Sequence, residues 1–144
     1  MKVAEIEVSY SSNNGNIIKI IRSQDAYNLV LAHWNLNTIE LQEEVKLILL
    51  NRANIVLGIH NLSKGGVSQS IVDIKLVLSI ALKCNATSII LVHNHPSGNL
   101  KYSKSDKSIT SKLKKACRIV DLVLFDHLVI TKNGYYSFAD ENNL

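Results

Sequence analysis

The run Ser88-Ile89-Ile90-Leu91-Val92 passes without a break into His93-Asn94-His95-Pro96, and this junction constrains the chain more than any other stretch. The first five residues, mostly apolar and partly β-branched, read as a buried strand. Pro96 cannot donate to a sheet ladder, so the strand stops there. Strand side chains repeat every two residues, so His93 and His95 point the same way at the end of a core strand. A loop from Ser97 to Tyr102 follows, with a single glycine. Ser103 then opens a helix, and Asp106 falls in its first turn. Taken alone, Ser103-Lys104-Ser105-Asp106 is the S-x-x-D pattern of a capping box. A lone histidine, likewise, is more often a hydrogen-bonded or exposed side chain than a ligand. Two imidazoles and a carboxylate on one strand-loop-helix unit are different. They are a standard donor set for catalytic zinc, with water as the fourth ligand. His93, His95 and Asp106 are therefore the expected metal ligands.

The chain of 144 residues fits one domain with a real hydrophobic core. Apolar residues at 47% and charged residues at 19% are a globular balance. The apolar runs are too short to span a bilayer, and Met1-Lys2-Val3-Ala4-Glu5 opens no signal-peptide core. A cytoplasmic protein without membrane attachment is expected. Cys84 and Cys117 are isolated within helical apolar patterns and read as reduced core thiols. A net charge of +4 permits an acidic partner without requiring one.

Along the chain, residues 1–22 read as an N-terminal leader or as two edge strands around the polar turn Ser11–Asn16. Residues 23–144 form the domain proper. Ser23 is a candidate cap for a helix over 24–34, with Tyr27, Val30, Leu31 and Trp34 on its apolar face. Residues 43–51 form a central strand, and 55–62 pair with it as an antiparallel hairpin. Ser63–Ser70 reads as a polar loop, either beside an active site or a plain connector. Asp73 caps a second helix with the stripe Ile74, Val77, Leu78, Ala81 and Leu82. A third helix runs from about Lys104 to Val120 with the stripe Ile109, Leu113, Ala116, Cys117 and Val120. Leu122–Phe125, Asp126-His127 and Leu128–Thr131 read as strand, kink, strand. Asn133-Gly134 then turns the chain into Tyr135–Phe138, ahead of a frayed polar tail, Ala139–Leu144. Strands and helices interleave, so the fold class is α/β with a mixed sheet flanked by helices.

A metal site that hydrolyses needs a base, and Glu40, Glu43 and Glu44 are candidates. Glu43 is in phase with Val45, Leu47 and Leu49, and Glu44 with Lys46, Ile48 and Leu50, so periodicity leaves both open.

The motif His93-x-His95-Pro96-x6-Ser103-x2-Asp106 resembles that of the JAMM (MPN-plus, JAB domain) zinc metalloproteases. With His93–Gly98 and Asp126-His127-Leu128 together, residues 24–141 resemble more narrowly the bacterial RadC-like proteins. The resemblance implies a single JAMM/MPN-type domain related to the cytidine-deaminase architecture. It implies one Zn²⁺ per chain held by His93, His95 and Asp106. It places the family's catalytic glutamate on Glu43 and its oxyanion-binding serine on Ser103. In that scheme water attacks a peptide or isopeptide carbonyl of a protein substrate, with Glu43 carrying the proton. Many RadC-like proteins carry a helix-hairpin-helix DNA-binding region, for which the twenty-odd residues before this domain are too short. Asn94 stands where many eukaryotic relatives have Ser or Thr, and it is expected to point away from the metal.

The rival reading is a DNA-repair-associated accessory protein with a structural zinc. Lys101, Lys104, Lys107, Lys112, Lys114, Lys115 and Arg118 gather base in and around the third helix, although no aromatic residues interleave for base stacking. A zinc nucleobase deaminase would want H-x-E and a downstream C-x-x-C, and the chain has neither. His33 and His60 read as surface or filler residues, and His127 as part of the strand kink rather than as support for a ligand.

Overall fold

The computed structural model describes residues 1–12, 15–65 and 72–144. Its elements run α1 (Ser23–Ala32), β1 (Glu44–Leu50), β2 (Val56–Lys64), α2 (Ile74–Lys83), β3 (Ser88–Asn94), α3 (Lys104–Ile119), β4 (Val123–Thr131) and β5 (Gly134–Ser137). The five strands form one mixed sheet in the order β2-β1-β3-β4-β5. Only the β3–β4 pair is parallel, and α3 is its crossover.

Every residue of β1 and β3 is buried, as two-sided burial of a central strand requires. Their alternation divides the core in two. Ile48, Leu50, Ile90 and Val92 pack with Tyr27 and Val30 of α1. Val45, Leu47, Leu49, Ile89 and Leu91 pack with Val77 and Ala81 of α2 and Leu113 and Cys117 of α3. Each fully buried Leu or Ile in these layers contributes about 1.5–3 kcal/mol. Cys84 and Cys117 are free thiols. No helix among the described residues is long and apolar enough to cross a membrane.

Several local expectations are corrected. Residues 1–12 form no strand and are exposed. The following segment makes one antiparallel bridge, Lys19 to Ile55, and buries Ile20. The turn at Asn13-Asn14 lies outside the described residues. Ser23 is the first helical residue, not the cap. The Asp25 carboxylate instead accepts the Ile21 and Arg22 amides at 3.0 and 2.9 Å, while the Ser23 hydroxyl pairs with Tyr135 and Asp140. β2 continues to Lys64, and Gly66–Ser70 of the expected polar loop lies outside the described residues. Leu82 leaves the α2 stripe and is exposed. On α3 the buried positions are Asp106, Thr110, Leu113 and Cys117, with Ile109, Ala116 and Val120 half-buried.

The expected kink is a β-bulge in one continuous strand. Ile89 pairs with Leu124 but Ile90 pairs with Asp126, so Phe125 is the extra residue. The bulge lets Leu124 and His127, three residues apart, both face α3. The tail is not frayed. Phe138 is fully buried, the Asn143 amide donates to its carbonyl at 2.8 Å, and Lys107 and Lys114 donate to the carbonyls of Asn143 and Leu144.

Candidate metal centre

β3 delivers His93 at its end and His95 just beyond it. The His95 amide still donates to Ile130 at 3.0 Å, so the backbone stays extended through both residues and both rings project towards α3. The turn Pro96-Ser97-Gly98 closes on the His95 carbonyl at 3.0 Å. Gly98 takes φ +80°, a region that suits a residue without a side chain. The turn brings the Asn99 carbonyl back to His95 Nδ1 at 2.7 Å. α3 starts at a capping box: Ser103 Oγ accepts the Asp106 amide at 3.0 Å, and the Asp106 carboxylate accepts the Ser103 amide at 2.7 Å. The helix dipole also favours an acidic residue in this first turn.

These pieces meet. His93 Nε2 and His95 Nε2 are 3.0 Å apart. The Asp106 carboxylate oxygens lie 3.2 and 3.3 Å from them. One ligand atom from each residue falls within 4.8 Å of the others, a group able to hold a metal ion. The donor chemistry fits such an ion. A carbonyl only accepts, so His95 Nδ1 carries a proton towards Asn99, and in its neutral form the ring has its lone pair on Nε2, on the Asp106 side. Nitrogen and oxygen donors so arranged suit zinc. Burial pushes the Asp106 carboxyl up, but the His93 and His95 rings and the Ser103 amide outweigh it and hold it well below the usual range. The Asp106 carboxylate raises His95 against the opposing pull of burial.

Glu43 immediately precedes β1. The antiparallel register sets Val45 opposite His93, so Glu43, two residues earlier, shares the α3-side face with His93 and His95. It lines a cleft of about 290 Å³ with His93, Asp106, Lys112 and His127. It also lines the adjoining cleft with His95, Ser103 and Asp106. Glu44 is turned to the other face, where its carboxylate pairs with Lys46 at 3.7 Å and Lys64 at 3.8 Å. Glu40 is exposed and lines a separate cleft with His95 and Lys132.

Sequence reasoning missed three neighbours. Asn94 points away from His93 and His95, as expected, but it is also a clamp. Its side chain accepts the Glu44 amide at 2.7 Å and donates to the Ile39 and Gln42 carbonyls at 2.7 and 2.9 Å, which holds the segment bearing Glu43. His127 is not merely part of a kink: its ring is buried with Nε2 2.8 Å from His93 Nδ1. Thr110 meets the other nitrogen of that ring at 2.6 Å. The available signal was the spacing Asp106, Thr110, Leu113, Cys117, which puts a polar residue on the buried stripe one turn after the carboxylate.

A family model described as "RadC-like JAB domain" matches residues 20–144. A UPF0758 protein of Flavobacterium johnsoniae is 40% identical over 148 residues, covering 96% of this chain and 61% of the relative. UPF0758 proteins of Streptococcus sanguinis and Porphyromonas gingivalis are 45% and 42% identical, each over 72% of this chain and 45% and 46% of their own length. The chain thus spans about half to three-fifths of these curated relatives. The family model covers most of the chain and these relatives are at least 40% identical, and the chain belongs to the RadC-like JAB domain family.

Proposed function

We infer that this domain is a zinc-dependent hydrolase of peptide or isopeptide bonds. The observation that supports this most is the meeting of two imidazole nitrogens and a carboxylate in a cleft that Glu43 also lines. When bound by His93, His95 and Asp106, zinc would supply Lewis acidity, bringing the pKa of a water to about 7 and polarising a carbonyl. The chain's own groups supply the rest. Glu43 takes a proton from water and passes it to the leaving amine. Ser103 spends an oxygen lone pair on the Asp106 amide as a cap, which leaves its O–H to donate to the oxyanion. The Asn94 clamp holds the Glu43 segment in place.

The test is zinc content together with cleavage of a diverse peptide library by wild type, His95→Ala and Glu43→Gln. One zinc per chain in wild type and Glu43→Gln, none in His95→Ala, and cleavage by wild type alone are expected. Equal cleavage by Glu43→Gln, or full zinc in His95→Ala, overturns the assignment.

A second reading rests on α3, where Lys104, Lys107, Lys112, Lys115 and Arg118 are exposed. A DNA-associated protein with a structural metal would use that face on phosphates. Salt-dependent DNA binding that survives Glu43→Gln, with no cleavage by wild type, would favour it.

A further inference from the structure

Behind the ligands lies a buried hydrogen-bond chain that the reaction above does not use. His93 Nδ1 is 2.8 Å from His127 Nε2. His127 Nδ1 is 2.6 Å from Thr110 Oγ1, and Thr110 Oγ1 is 2.7 Å from the Asp106 carbonyl. The proton positions follow from the far end. A peptide carbonyl only accepts, so Thr110 spends its one proton on Asp106. The opposite sense would leave two oxygens 2.7 Å apart with no proton between them. Thr110 must then accept from His127, so His127 Nδ1 carries the proton. The His127 ring is 1% exposed and meets a neutral hydroxyl and another imidazole, an environment that keeps it neutral. Its Nε2 is therefore bare and accepts from His93 Nδ1–H. A metal-binding His93 then offers its Nε2 lone pair on the side of Asp106 and His95.

We propose that His127 and Thr110 are positioning residues that fix the tautomer and orientation of His93 and tie it to α3, the helix carrying Asp106. The chain starts at one ligand's ring and ends on another ligand's backbone, so it locks β3 and α3 into a single donor geometry. Two features hold His127 in this role. The bulge at Phe125 turns it to the α3 side, and Phe138 stacks on its ring with centroids 4.7 Å apart. The inference rests on the metal-binding reading and extends it beyond the ligands.

Long-range ¹H–¹⁵N spectra of metal-free and zinc-loaded wild type at about pH 8, where an ordinary histidine is neutral, read the three rings directly. Protons on Nδ1 of His93 and His127, and none on Nε2 of either, are expected. A proton on His127 Nε2 overturns the proposal. Chelator competition on variants gives the second readout. His127→Phe keeps the stacked ring but loses both nitrogens, and Thr110→Val loses the hydroxyl without touching a ligand side chain. Each should weaken zinc binding about 10- to 100-fold and shift the d–d bands of the cobalt-substituted protein. The double variant should be no weaker than the weaker single, because both break one chain. His127→Gln and Thr110→Ser should recover most of the affinity. Wild-type affinity in both His127→Phe and Thr110→Val contradicts the proposal. If wild type binds no zinc, the metal reading fails, and the metal-free ring spectra still judge the hydrogen-bond chain by itself.

Discussion

The two faces of the sheet at the β1–β3 end carry adjacent residues with opposite fates. On the α1 side, Glu44, Lys46 and Asn94 are all buried, and each is spent on a partner in the fold. Glu44 pairs with Lys46 and Lys64, Lys46 donates to Asn61 at 2.6 Å and lies over Trp34, and Asn94 makes three hydrogen bonds. On the α3 side, the Nε2 atoms of His93 and His95 and the Asp106 carboxylate converge at 3.0 to 3.3 Å from one another. Burial of polar groups is common to both faces and does not mark the site. The difference lies in where the lone pairs and protons go. A buried network whose donors and acceptors match is architecture. One in which acceptors converge asks for a cation.

The largest effect that can break this comparison is on catalysis. Glu43→Gln should lower hydrolysis about 100- to 10,000-fold with zinc retained, whereas Glu44→Gln, one residue away on the other face, should leave turnover and zinc near wild type. Comparable losses in both would erase the distinction between faces. Ser103→Ala should cost about 100- to 1000-fold in kcat, from the lost oxyanion donor. It should also remove about 1 kcal/mol of stability, from the lost cap. A stability change without the rate change would make Ser103 a cap alone.

Asn94→Ala sharpens the comparison from the architectural side. It leaves the Glu44 amide and two carbonyls without their partner, and should destabilise by about 1–3 kcal/mol in urea unfolding. Zinc should remain at one per chain, because the side chain lies opposite the ligands. Loss of zinc in a folded Asn94→Ala protein would show that the faces are not independent.

The smallest effect is on pH dependence. Asp106 raises the pKa of His95 in the metal-free fold, so its contribution to stability is fully present below the unfolded value and is lost as pH rises through the folded one. Zinc needs the deprotonated ring, so zinc affinity should rise over that same interval. Thermal unfolding with and without zinc between about pH 6 and 8 should show the two forms diverging as pH rises, and parallel curves would contradict it.

The cluster of His93, His95 and Asp106 was legible because it is local. His93, His95 and Asp106 fall within one strand-loop-helix unit, where the period of two and the capping pattern suffice. Glu43 and Glu44 were tied because periodicity gives phase but not facing. The register that sets Val45 opposite His93 puts Glu43 on the face of His93 and Glu44 on the other. His127 was illegible for a related reason. Its closeness to His93, 34 residues away, depends on the parallel β3–β4 pairing and on the bulge that changes its phase. Strand, kink, strand reads correctly as an irregularity, but its consequence is tertiary. The tail looked free because its side chains are polar. What holds it is the burial of Phe138 before it, carbonyls bound by Lys107 and Lys114, and the pairing of Asp140 with Ser23 and of Asn143 with Tyr136.

The central claim is that His93, His95 and Asp106 hold one metal ion. Crystals of the protein purified with zinc, measured on both sides of the zinc absorption edge, test it most directly. One anomalous peak per chain about 2.0–2.2 Å from His93 Nε2, His95 Nε2 and an Asp106 oxygen is the predicted result. A zinc-replete crystal with no peak there, or with its peak on other residues, would contradict it.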